Sequence, residues 1–208
     1  MTLDEKIAFW FRPPEPIKEP KDLGTMSSLF MLRREIQFCL IGDLTNEDSV
    51  IEVAMSRGEY RLFASMMVTM AGVDLLAKFW AGSDEIGGVG ARIKCFAERY
   101  MFTNAKDPKR SGEILYQAIR NPLLHSFTLY DRVLQIWLLN RQPQFDIIEN
   151  PERPGHVLIS IEGIYLAFIR GLRAYQEELI RSDDLRAKFE RMYERYGTTG
   201  FGVMPDQQ

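Results

Sequence analysis

The sequence predicts a mainly α-helical domain with a small β insertion and two C-terminal helices. Three observations lead there. Apolar residues recur at helical spacing through most of residues 26–130. Short β-branched and aromatic runs, separated by proline-containing turns, replace that spacing between about 131 and 161. The helical period then returns from about Glu162. A chain of 208 residues is long enough for one good core and short for two. Its 46% apolar and 12% aromatic content is enough burial to offset the entropy of ordering, so the chain folds.

Residues 1–24 read as an N-terminal arm with a proline-rich linker. Four of the ten prolines fall between Pro13 and Pro20, in RPPEPIKEP, where missing N–H groups and fixed φ angles forbid regular structure. Ahead of them IAFWF supplies an aromatic cluster suited to docking on the body or on a neighbouring subunit. A single helical-bundle domain follows over 25–197. Its helices are predicted over about 26–41, ending near Gly42, over 47–81, weakened at Gly58, and over 89–102, after the glycines of GGVG. Asp107 and Pro108 supply N-cap and first-turn chemistry for a helix running toward Arg120. RVLQIWLLN, FDIIE and HVLISI then predict an antiparallel hairpin or three-stranded meander in the insertion at about 131–161. IYLAFIRGLRAYQEELIR forms the next helix, and Ser182 caps a last one ending near Gly197. Residues 198–208 have too few packing groups to be ordered alone and read as a flexible tail.

Composition narrows the function. With 26 basic and 29 acidic side chains and a net charge of −3, no overall positive field attracts nucleic acid, so any RNA site must be local. Cys39 and Cys95 lie far apart in no metal-ligand spacing, so no zinc site is expected, and no motif asks for a cofactor. The start, MTLDEKIAFWFRPP, lacks the basic opening and longer apolar stretch of a signal peptide, which points to a reducing, cytoplasmic setting. LFASMMVTMAGVDLLAKFW, residues 62–80, has about the length of a bilayer span, but Asp74 and Lys78 oppose insertion and no membrane role is expected. IGGVGAR lacks the preceding strand and the Lys-Ser/Thr ending of a phosphate loop and reads as a turn between helices. The methionines, Met66, Met67 and Met70 among them, read as core filling.

One stretch breaks its own pattern. LYQAIRNPLLHSF, residues 115–127, is an apolar helix end interrupted by Arg120, Asn121, Pro122 and His125. In a continuous helix residues five apart point about 140° from one another, a poor arrangement for one site. Pro122 biases Asn121 away from helical angles, so one helix is expected to end here, with Asn121 capping a second that begins at Pro122. Arg120 and His125 then converge across a bend, and the exposed N–H groups of the new helix favour a phosphate oxygen.

R-N-P-L-L-H resembles the R-N-x-x-x-H form of the signature of HEPN domains, helical bundles often found in RNA-cleaving and defence proteins. The resemblance covers these six residues and, more loosely, the bundle from about 26 to 130. It implies a metal-independent endoribonuclease, of a toxin or defence system, in which two copies of the chain bring two motifs into one cleft. A homodimer, an RNA substrate and an antitoxin or other protein partner are the implied associations. Arg120 and His125 are then catalytic, with Asn121 supporting. Many HEPN relatives are non-catalytic, so the fold is implied more strongly than the reaction.

The chemistry is consistent with such a role. Cleavage through the 2′-hydroxyl needs a base, an acid and a cation for the charge that develops at phosphorus. Imidazole, with an ordinary pKa of about 6.5, serves as either base or acid, and a guanidinium clamps phosphate with two donors. His156 lies in the β insertion without matching partners, so the simpler source of a second imidazole is His125 of a second chain. The competing expectation is structural. Asp74 sits on a helix that is apolar nearly all round and needs a cation, from Lys78 one turn on or from Arg120. Arg120 and His125 would then hold a non-catalytic protein- or nucleotide-binding module together.

Overall fold

Helix α4, Leu62–Ala81, is the axis on which the chain is wrapped. In the computed structural model residues 1–17, 26–57, 62–126, 135–139, 147–149, 153 and 155–199 are described. Helix α1 spans Leu3–Trp10, α2 Ser28–Ile41, α3 Val50–Arg57, α5 Val89–Phe96, α6 Pro108–Ile114 and α7 Asn121–Ser126. Helices α8, Ile161–Arg181, and α9, Asp183–Tyr196, close the chain. The stretch expected as one helix over 47–81 is a 3₁₀ turn, Glu47–Ser49, followed by α3 and α4, with Gly58 outside the described residues. Met66, Met70, Val73, Leu76, Ala77 and Phe79 of α4 are buried, and α2, α5, α8 and α9 pack around them. Among the described residues α4 is the one helix long and apolar enough to cross a bilayer. The closing helices are therefore part of the core.

The aromatic cluster near the N-terminus docks on its own chain. Thr2 and Glu5 form a reciprocal capping box that starts α1. Trp10 is fully buried, stacked on Phe79 at 4.1 Å and edge-on to Phe189 at 5.4 Å. Its indole N–H reaches the Ser28 hydroxyl at 3.4 Å, so the ring is buried with its donor partnered. Arg33, 4% exposed, fixes the exit of α1: Nη1 donates to the carbonyls of Phe11 and Arg12, while Nε and Nη2 grip both oxygens of Glu47. Residues expected as an arm thus contribute to the core as far as Phe11. Residues 12–17 have no regular structure, and 18–25 lie outside the described residues.

The insertion forms a three-stranded sheet in the order β1-β3-β2, from β1, Gln135–Leu139, β2, Ile147–Glu149, and β3, His156–Ser160. Strands β2 and β3 are antiparallel, with Ile147 opposite Ile159 and Glu149 opposite Val157, as a hairpin requires. Strand β1 pairs with the other edge of β3 in parallel, Gln135 opposite His156, so the sheet is not a meander. The physical reason is that turn signals fix only neighbouring strands: β2 and β3 pair as a hairpin, whereas the partner on the other edge of β3 is settled by long-range packing. Ser160 then caps α8 by accepting from the Gly163 N–H, carrying the sheet directly into the core helix.

The start of the expected tail is pinned as well. Thr198 bridges to Ser27 and the Thr199 N–H donates to the Met26 carbonyl at 3.1 Å, while residues 200–208 lie outside the described residues. Near the other end of the bundle Glu178 of α8 accepts from Arg99 at 2.6 Å and from the Tyr100 hydroxyl at 2.8 Å. Hydrogen bonds from Arg99 and then Tyr100 hold the Glu178 carboxyl below its ordinary value of 4.5. Burial first, and Glu178 second, push Tyr100 up to about 12.

Replacing Trp10 with Ala removes the largest side chain between α1 and α4, and should cost about 3–5 kcal/mol in chemical denaturation. Because the Glu178 carboxyl is depressed on folding, its stabilisation is present above about pH 4.5 and lost as pH falls through the lower folded value. Denaturation midpoints of the wild type and Glu178→Gln should therefore differ at pH 7 and converge as pH falls below the folded value.

Candidate functional site

The motif lies on a helix that does not break. Asp107 caps α6, its carboxylate accepting from the Arg110 N–H at 2.9 Å, with Pro108 in the first turn as expected. Helix α6 passes into a π-helical segment, Leu115–Arg120, which runs on into α7. Asn121 has φ −65° and ψ −54°, and its N–H donates to the Tyr116 carbonyl five residues back. It is therefore a helical residue, not a cap, and the helix end expected before Pro122 is absent. The π register supplies the reason. At its junction with α geometry a residue is left over from the hydrogen-bond ladder, and a proline, with no N–H to give, sits there at little cost. No free helix N-terminus is formed beneath a phosphate at this point.

Two consequences follow for Arg120 and His125. Arg120 turns toward α4 and is half-buried, its side chain 15% exposed, whereas His125 is exposed near the end of α7. They do not meet within one chain. Asn121 does meet Arg120, accepting from Nη1 at 3.1 Å. Beneath lies Tyr116, whose ring centre is 6.0 Å from the guanidinium carbon. Tyr116 in turn lies flat on α5 because position 90 is glycine, where a Cβ would come within 2.7 Å of the ring.

Asp74, 17% exposed, faces Arg120 from α4. One of its oxygens, Oδ2, lies 3.8 Å from Arg120 Nη2 and 3.4 Å from Lys78 Nζ. Both cations expected as alternatives thus share one carboxylate oxygen. One negative charge against two positive ones leaves this spot net positive, unlike the chain as a whole. The pairing is also incomplete: Arg120 Nε and Asp74 Oδ1 are buried without a hydrogen-bond partner. Arg33 and Glu47 show what a saturated buried pair looks like in the same molecule, with two charge-assisted bonds and two carbonyls on one guanidinium.

His156 begins β3, on an element separate from the motif. Among the described residues no group of three or more His, Cys, Asp or Glu side chains is placed to hold a metal ion. No family model, curated protein or solved structure matches the chain.

The contrast between the two arginines is measurable. Arg33→Ala leaves Glu47 as an uncompensated buried charge and should cost about 3–5 kcal/mol. Arg120→Ala leaves Asp74 paired with Lys78 and should cost about 1 kcal/mol or less. Urea denaturation of the two variants side by side checks the ordering.

Proposed function

We propose that the chain is a HEPN-like helical module that acts as a homodimer and cleaves RNA without a metal ion. The observation that carries the reading is the incomplete partnering of Arg120. Buried polar groups are almost always satisfied, and a guanidinium with a spare buried donor, in a spot with one carboxylate for two cations, is poised for a further anion. A phosphate oxygen supplies one. His125 is exposed and available to a second chain, so a twofold pairing through this face offers two imidazoles and two guanidiniums to a single RNA backbone.

In this mechanism one His125 accepts the 2′-hydroxyl proton as the 2′-oxygen attacks phosphorus. The other donates a proton to the departing 5′-oxygen as the P–O bond breaks, leaving a 2′,3′-cyclic phosphate and a 5′-hydroxyl. Arg120 stabilises the charge on the non-bridging oxygens, and Asn121 holds its fork in place. A role in a toxin or defence system, with an antitoxin or similar protein covering the cleft, is part of the same proposal. A second reading has one specific observation in its favour. The Asp74 contact draws Arg120 toward α4 while His125 stays exposed, as a non-catalytic binding module would have them.

Labelled RNA incubated with purified protein in excess chelator separates the two. The nuclease reading expects cyclic-phosphate products, a loss of about 100-fold or more in His125→Ala and in Arg120→Ala, and unfolding curves close to wild type. Equal cleavage by wild type and both variants would remove these residues from catalysis, and absence of cleavage by the dimeric wild type would leave the binding module.

A further inference from the structure

Among the described residues Arg92 is the most deeply buried cation without an ion pair. It is 6% exposed, Nη1 donates to the Glu85 carbonyl, and both Nε and Nη2 are buried without a partner. Among the described residues no carboxylate forms an ion pair with it. Asp84, in the preceding turn, is committed to the Tyr196 hydroxyl and to Arg195, both at 2.9 Å. Glu85 offers Arg92 its carbonyl, and its own side chain is exposed.

The place to which this guanidinium folds back is the first turn of α5. A Cβ at Gly88, the residue before α5, would lie 3.0 Å from Arg92 Nη1. That helix start follows directly on a 3₁₀ turn, Ile86–Gly88, whose Gly88 N–H donates to the Glu85 carbonyl at 3.1 Å; it has no side-chain cap, and the positive end of the helix dipole lies beside the guanidinium. Two like-signed features held together away from water oppose folding unless an anion lies between them. On sequence IGGVGAR was set aside for want of a preceding strand and a Lys-Ser/Thr ending. Here the cation comes instead from Arg92, one helical turn after Gly88.

We infer that Arg92 and the uncapped start of α5 form a binding site for a phosphate group, separate from Arg120. The guanidinium supplies Nε and Nη2 as a two-pronged donor, and the positive end of the α5 dipole adds to the attraction. The ligand is a free phosphate or the phosphate of a nucleotide, which share this chemistry.

Thermal unfolding and titration calorimetry of the full chain with inorganic phosphate, and in parallel with adenosine monophosphate, test the assignment at constant ionic strength. Phosphate at about ten times its Kd should raise Tm by about 3 °C in the wild type and in Arg120→Gln, and should lose that effect in Arg92→Gln. Arg92→Met provides the check should Arg92→Gln fold poorly. Freed of an unanswered buried charge, it should be at least as stable as wild type in phosphate-free buffer and insensitive to phosphate. Tighter binding of the nucleotide than of phosphate identifies a nucleotide site, and equal binding a free-phosphate site. No binding of either by wild type, or binding undiminished in both Arg92 variants, overturns the proposal. The outcome is independent of RNA cleavage, because Arg120→Gln removes the proposed nuclease clamp and leaves this site intact.

Discussion

The constraint on which the molecule depends is the burial of α4. A helix with apolar side chains on nearly every face has no stable exposed state in water and has to be covered all round. Four helices and the N-terminal aromatic cluster supply that cover, and the insertion is fitted in between α7 and α8 without interrupting it. Trp10 matters for this reason: stacked on Phe79, it brings the chain start onto α4 and sets it beside α9 through Phe189. The Arg33 network then fixes the exit from α1 with hydrogen bonds, which, unlike apolar contact, specify one geometry.

Asp74 and Lys78 are the places where α4 departs from an apolar surface, and they occur one turn apart on the side that meets α7. The polar gap in the central helix therefore decides where a charged residue from another element can be received. Arg120 is that residue. Its position is a consequence of core packing: the backbone of Lys94 on α5 would meet a Cβ at Gly112 at 3.0 Å, so α6 lies close against α5 and the π segment after it delivers Arg120 toward α4.

Much of this was legible in the residues. Asp107 with Pro108, and Ser182, are local devices, and local signals predict helix starts because the bonds they make are local. The need of Asp74 for a cation was legible too, since a carboxylate on an apolar helix has few alternatives. What the sequence concealed was long-range or unusual. Strand order depends on which edge of β3 finds a partner, and no local signal reports that. Pro122 was expected to end a helix because proline usually does. The π register that accommodates it gives no signature at the level of periodicity. Arg92 lay in a stretch judged by its glycines against one phosphate-loop pattern, whereas its significance arises from burial beside an uncapped helix.

Arg33, Arg120 and Arg92 differ in the degree to which each is satisfied, and function can be argued from that difference. Arg33 has partners on all three nitrogens and its charge is answered by Glu47. Arg120 has one good hydrogen bond, one long ion pair shared with Lys78, and a spare Nε. Arg92 has a single carbonyl and two spare nitrogens. Removing a guanidinium from water costs several kcal/mol, and partners inside the protein ordinarily return it. Where they do not, N–H donors and positive charge are left over together, and an oxyanion is a species that answers both. Stability therefore accounts for Arg33 in full, for Arg120 in part and for Arg92 least, and the sites argued for this molecule follow that order.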